Sequence, residues 1–225
     1  NSQIARVTPL ENPAVNGPWI CNKGRDLAGL LGRARARQPL LAGRPAALEE
    51  ALHAARGLIE AARRPLALVS SWGSNEELDA FRDTLGPKFD CRVKYDHQPQ
   101  PGERLEDDLL IRADKNPNGT YARRLYGDRP VAFAPDTDLV LVWGEGADLA
   151  ALPPGVPVIL LNAWLAPEND RAHVFLPTIQ TERRGHYTNF AGHVGAFEPC
   201  FPAPPGAIDA ADLFAALAMP SSGHG

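Results

Sequence analysis

The residues best suited to chemistry lie near the start of the chain, in Trp19-Ile20-Cys21-Asn22-Lys23-Gly24-Arg25. A thiolate is a good ligand for soft iron, and an ammonium close by lowers the thiol pKa and tunes the potential of a bound cluster. The pattern suits the last cysteine of an iron–sulfur site. One cysteine cannot hold a cluster, however, and Cys91 and Cys200 stand too far off in sequence to complete a closely spaced set. A second polar constellation, Pro177 to His193, contains His186, His193, Gly185, Asn189 and Gly192. No carboxylate or cysteine falls at recognisable zinc spacing from the histidines. Backbone contacts to a neighbouring subunit or a large cofactor are therefore expected there, rather than a metal.

Other motifs carry weaker signals. Gly144-Glu145-Gly146 follows an apolar run but lacks the third glycine of a dinucleotide fingerprint, so it reads as a tight turn. Asp114 to Gly119 reads as a capped turn opening a helix, with an anion site at that helix N-terminus as the alternative. Arg33, Arg35 and Arg37 form the dense basic run and read as a solvated connector. Cys91, between Asp90 and Arg92, reads as structural.

Positioning these residues is the work of a recurring βα pattern. Residues 1–38 form a leader punctuated by Asn12-Pro13 and Asn16-Gly17-Pro18, with Asp26 placed to cap a short helix carrying Leu27, Leu30 and Leu31. Residues 39–44 read as a linker. From Pro45 onward, Leu48, Leu52, Ala55, Leu58, Ile59 and Ala62 recur at helical spacing until Pro65. Leu66 to Ser70 is a short apolar run suited to a strand buried on both faces. Ser74-Asn75-Glu76-Glu77 then spells a capping box, ahead of Leu78, Phe81 and Leu85. Further buried strands are expected at 137–143, 156–162 and 172–176. The predicted class is α/β, a doubly wound and mostly parallel sheet over residues 45–218 with helices on both faces, followed by a flexible tail at 219–225. Such sheets bind ligands beyond the carboxyl ends of their strands, here Ser70–Ser74, Gly144–Gly146 and Asn162–Trp164.

Composition narrows the function classes. The chain has 225 residues, 22% charged and 44% hydrophobic, with a formal net charge of −4. Without a basic block, nucleic acid is not an expected partner. Three scattered cysteines make no disulfide framework and fit a reducing, cytoplasmic setting. No apolar run approaches the roughly 20 residues of a membrane span. The chain opens on Asn1 with an incomplete motif, which leaves open a processed or truncated product.

Together these segments resemble the molybdopterin oxidoreductase superfamily, and within it the large iron–sulfur subunit of bacterial NADH:quinone oxidoreductase, complex I. Trp19 to Arg25 is similar to W-x-C-x-K-G-R. Ser70 to Leu78 is similar to a strand-glycine-S-N-E-E segment, and Leu110 to Gly119 to L-I-R-A-D-x-N-P-N. Leu176 to Phe197, with one residue fewer between Pro177 and Glu182, is similar to the family's L-P-x-x-x-x-x-E-x-x-G-x-x-x-N-x-x-G-R-x-x-x-F. The resemblance implies that residues 1–38 are the remnant of an iron–sulfur domain. Cys21 would be the fourth [4Fe–4S] ligand with Lys23 beside it, and Gly185, Asn189 and Gly192 would belong to the pterin-lining segment.

The departures shape the expectation. Three cluster ligands are missing, His193 stands where the family has arginine, and no cysteine or serine occupies a molybdenum-ligand position. No cofactor is expected on this chain alone: a cluster contact through Cys21 needs ligands from outside it, and molybdopterin is not expected. The implied role is a scaffold within a respiratory oxidoreductase, partnered by iron–sulfur, flavin and membrane subunits on the cytoplasmic face of the inner membrane. Two alternatives are a fragment of a molybdenum or tungsten enzyme such as a formate dehydrogenase, and a non-redox assembly or binding protein.

Overall fold

The computed structural model describes residues 4–97, 102, 106, 107, 112–152 and 154–220. The side chains of Lys23 and Leu30, Leu110 and Ile111 of the resemblance motif, and tail residues 221–225 lie outside the described residues.

The first helix, α1 (Asn22–Leu31), begins earlier than expected. Cys21, not Asp26, is its N-cap, because the Cys21 sulfur accepts from the Gly24 N–H and takes the place of a capping oxygen. The presumed linker at 39–44 is an edge hairpin. It contains β1 (Leu40–Leu41) and most of a turn into β2 (Arg44–Pro45), and β1 pairs antiparallel with a strand of the main sheet. Apolar Leu40 and Leu41 find cover in the sheet, which is why the Pro/Gly-flanked segment does not act as a spacer. Next, α2 (Leu48–Ala61) buries Ala51, Leu52, Ala55 and Ile59, one stripe at three- and four-residue steps.

β3 (Pro65–Ser70) is buried at all six positions, as a strand covered on both faces must be. It leads through the Ser74-capped helix α3 (Asn75–Thr84) to β4 (Asp90–Lys94). After α4 (Gly119–Tyr126) come β5 (Leu139–Trp143), β6 (Val158–Asn162) and β7 (Val174–Pro177). The hairpin of β8 (Gly185–Thr188) and β9 (Val194–Phe197) forms a separate two-stranded sheet, and α5 (Ala210–Ala218) follows.

The main sheet has the order β2-β1-β7-β6-β5-β3-β4, parallel from β7 to β4. The fold is the expected α/β class. Strand residues alternate between two apolar clusters. Ala67, Val69, Leu141, Trp143 and Leu161 face α2, α3, α4 and α5, where Phe214 meets Phe81 and Trp143 edge-on, each at 4.9 Å. Leu66, Leu68, Val140, Val142 and Leu160 face the other way, under Ala36, Phe133 and the short 3-10 helix Leu149–Ala151. The two faces are thus covered unequally, four α-helices against loops and one short turn. This corrects the expectation of helices on both faces: the connections from β5 to β6 and from β6 to β7 form only short 3-10 turns. No helix among the described residues is long and apolar enough to cross a membrane.

Candidate functional site

The chain runs from β3 to β4 on one side and then reverses to β5, β6 and β7 on the other, so the ligand crevice of such a fold falls at the carboxyl ends of β3, β4 and β5. Asp96, two residues beyond β4, fills it. One carboxylate oxygen accepts from Ser70 Oγ at 2.9 Å, the Ser71 N–H at 2.9 Å and Ser71 Oγ at 3.2 Å. The other accepts from the Glu145 N–H at 3.0 Å and lies 3.0 Å from Lys94 Nζ. Lys94 also donates to the Glu145 carbonyl. Both charged side chains are buried, Lys94 at 3% exposure and Asp96 at 7%. Burial pulls the Lys94 ammonium below its ordinary pKa, with Asp96 working against that shift. The tight turn expected at Gly144 has a second purpose. Its φ is +81°, and a Cβ there would collide with Asp96 Oδ2, so glycine is what admits the carboxylate.

The rim of the crevice is basic and aromatic. The guanidinium groups of Arg33 and Arg35 lie 4.6 and 4.7 Å from the Trp164 ring centroid. Arg33 pairs with Glu145 through two contacts at 2.9 and 2.7 Å. Arg35 donates to the Ala163 and Thr178 carbonyls and pairs with Glu182 at 2.5 Å. The run read as a solvated connector is therefore corrected at these two positions: it clamps the leader to the strand ends. Backbone bonds from Ala36 to Ala163 and from Leu165 to Ala34 explain why, since they bring the arginines onto Trp164. On the Trp164 side of Asp96 the remaining space is about 50 Å³, lined by Trp72, His97, Asn162 and Gln180 among others. The buried Asn162 leaves its Nδ2 without a protein partner, and such a space suits an ordered water.

Beside the crevice, the turn after β3 is riveted to the hairpin. Ser74 and Glu77 form both bonds of the expected capping box. Arg183, 4% exposed, reaches from before β8 to Glu77 at 3.2 Å and to Tyr187 Oη at 2.7 Å. Asn118, fully buried ahead of α4, donates to Gly73 O and Asn75 Oδ1 and accepts from the Thr188 N–H. The Asp114–Gly119 turn is thus tied to protein groups.

The residues carried over from the resemblance occupy this hairpin. Gly185 starts β8, where a Cβ would stand 2.6 Å from Glu76 Oε2. Asn189 closes the hairpin turn, accepting from the N–H groups of Ala191 and His193, and Gly192 supplies a left-handed residue in that turn. His186 Nδ1 lies 2.5 Å from Glu76 Oε1. Cys21 is on the leader, Cys91 is buried in the helix-covered core, and Cys200 is exposed. Among the described residues no three His, Cys, Asp or Glu side chains converge as a metal site.

Two cofactors implied by the resemblance meet different residues here. Cys21 offers one sulfur, already used as a cap, and the other two cysteines do not join it. For an anionic pterin phosphate, the Asp96 seat itself does not fit, because it already holds a carboxylate and the space beside it is about 50 Å³. A larger space of about 330 Å³ lies next to it, between Lys94, Tyr95, Arg129 and Phe133.

Sequence reasoning missed Asp96, Lys94, Arg35, Arg183 and Asn118. The available signal was their nearness to strand ends and turns, but each acts on a partner remote in sequence. No protein-family model and no curated protein matches this sequence.

Proposed function

We propose that this chain is a subunit, or a fragment of one, of an NADH dehydrogenase of the complex I type, serving as packing scaffold beside its iron–sulfur chain with the pterin site lost. The four motifs that resemble the large iron–sulfur subunit support this reading. The Asp96 carboxylate seated in the strand-end crevice supports the scaffold role, since an α/β sheet whose ligand position is filled by its own charges is suited to support rather than catalysis. In this reading the leader with Cys21 faces the neighbouring iron–sulfur region, and flavin, iron–sulfur and membrane subunits are the partners, on the cytoplasmic face of the inner membrane.

A second reading, a non-redox assembly or binding protein, draws on Cys21, whose sulfur caps α1. Anaerobic purification of the tagged protein from its own host distinguishes them. Co-purification with a flavin-bearing, NADH-oxidising subunit and iron–sulfur partners is the expected outcome. Recovery alone, or with a pterin-loaded subunit, overturns the scaffold proposal. Replacing Cys21 with serine in the assembled complex then tests electron transfer, because unchanged cluster signals remove Cys21 from the ligand set.

A further inference from the structure

We propose that Asp96 is a built-in ligand, a tethered carboxylate occupying a small-oxyanion seat formed by the ends of β3, β4 and β5. The donors come from three strand ends: Ser70 Oγ, the Ser71 N–H and Oγ, the Glu145 N–H and Lys94 Nζ, all within 3.2 Å of the carboxylate oxygens. Backbone amides, hydroxyls and an ammonium converging on one point are the chemistry of an anion cradle. Two of these donors have holds besides Asp96. Ser70 is held within β3, where its Oγ also accepts from the Trp72 N–H, and Lys94 ends β4 and bonds the Glu145 carbonyl. Gly144 leaves room for the incoming oxygen. The Ser71 hydroxyl in turn accepts from the Asp96 N–H, which guides the carboxylate into place.

A free anion would have to compete with a carboxylate held beside the seat by two peptide bonds from Lys94, an intramolecular advantage that excludes it at ordinary concentrations. Truncating Asp96 should vacate a space matched to a small monocarboxylate and leave the donors aimed into it. The seat is independent of the family reading, since it exists whether or not the chain belongs to a respiratory assembly.

Thermal unfolding of Asp96→Ala in formate against chloride at matched ionic strength is the test, with acetate and inorganic phosphate alongside. The expected result is a midpoint for the variant below that of the unsubstituted protein, raised by formate by about 3 °C or more with saturation. Acetate should act less and phosphate least, and the unsubstituted protein should respond to none of them specifically. A variant that responds equally to formate and chloride overturns the proposal. If Asp96→Ala fails to fold even in formate, hydrogen exchange of the unsubstituted protein decides. Protection of the Ser71 and Glu145 amides to the global limit supports a seated carboxylate, and exchange at exposed-loop rates overturns it.

Discussion

The leader up to Gly32 and the strand-end crevice it runs into are built in opposite ways. In the leader, Trp19 is 65% exposed, Leu10 and Val15 are exposed as well, and Cys21 makes one cap bond at 3.4 Å. In the crevice, Lys94, Asp96, Glu145, Arg33, Arg35 and Glu182 are all paired. The region with the most recognisable chemistry in its sequence makes few contacts, and the crevice is closely cross-linked. A buried charge must have a partner or cost several kcal/mol, so burial forces pairing in the crevice, whereas an exposed loop is under no such demand.

Four substitutions would sharpen or break this contrast. The largest effect is expected for Glu77→Ala, which strands Arg183 in the interior and dissolves the capping box. A loss of about 3–5 kcal/mol in urea unfolding is expected, and a loss under about 1 kcal/mol would mean the buried network is not what secures the hairpin. Arg35→Ala follows, at about 2–3 kcal/mol for its charge-assisted bonds. It should also change Trp164 emission, since the guanidinium leaves the ring face. An unchanged spectrum would detach the leader from the crevice rim.

The alkaline limb offers a third comparison. Burial, aided by the Asp90 carboxylate, pushes the Cys91 thiol up to about 12 from its ordinary 9.0. A pKa raised in the folded state gives stability that is intact below about pH 9 and is lost as pH climbs toward 12, because only the unfolded thiol ionises in that window. Cys91→Ala should therefore flatten the stability profile there by about 1.4 kcal/mol per pH unit relative to the unsubstituted chain. Parallel profiles would show the thiol to be accessible. Cys21→Ser is the smallest, within about 0.5 kcal/mol, because serine caps a helix at least as well as cysteine. A loss exceeding that of Arg35→Ala would reverse the contrast between leader and crevice.

Much of the fold was legible in the chain. Continuous apolar runs such as Leu66–Val69 and Leu139–Trp143 announce strands covered on both sides, and Ser74 with Glu77 announces a helix start, because both signals are local. The edge hairpin at 40–45 was not legible, since a two-residue strand exists only through pairing with β7. The site divides in the same way. Gly144 could be read as a turn from its place after a strand, but not as the notch for a carboxylate arriving from β4.

By itself, then, the sequence determined the α/β class, the capped start of α3 and the buried strands, all products of periodicity and capping within a dozen residues. Tertiary structure alone decided that Asp96 would meet Ser70, Ser71 and Glu145, that Arg183 would meet Glu77 106 residues away, and that Arg35 would lie on Trp164. Hydrogen bonds and ion pairs act over a few ångströms in space without regard to separation along the chain. They become readable only once strand order has placed their partners side by side.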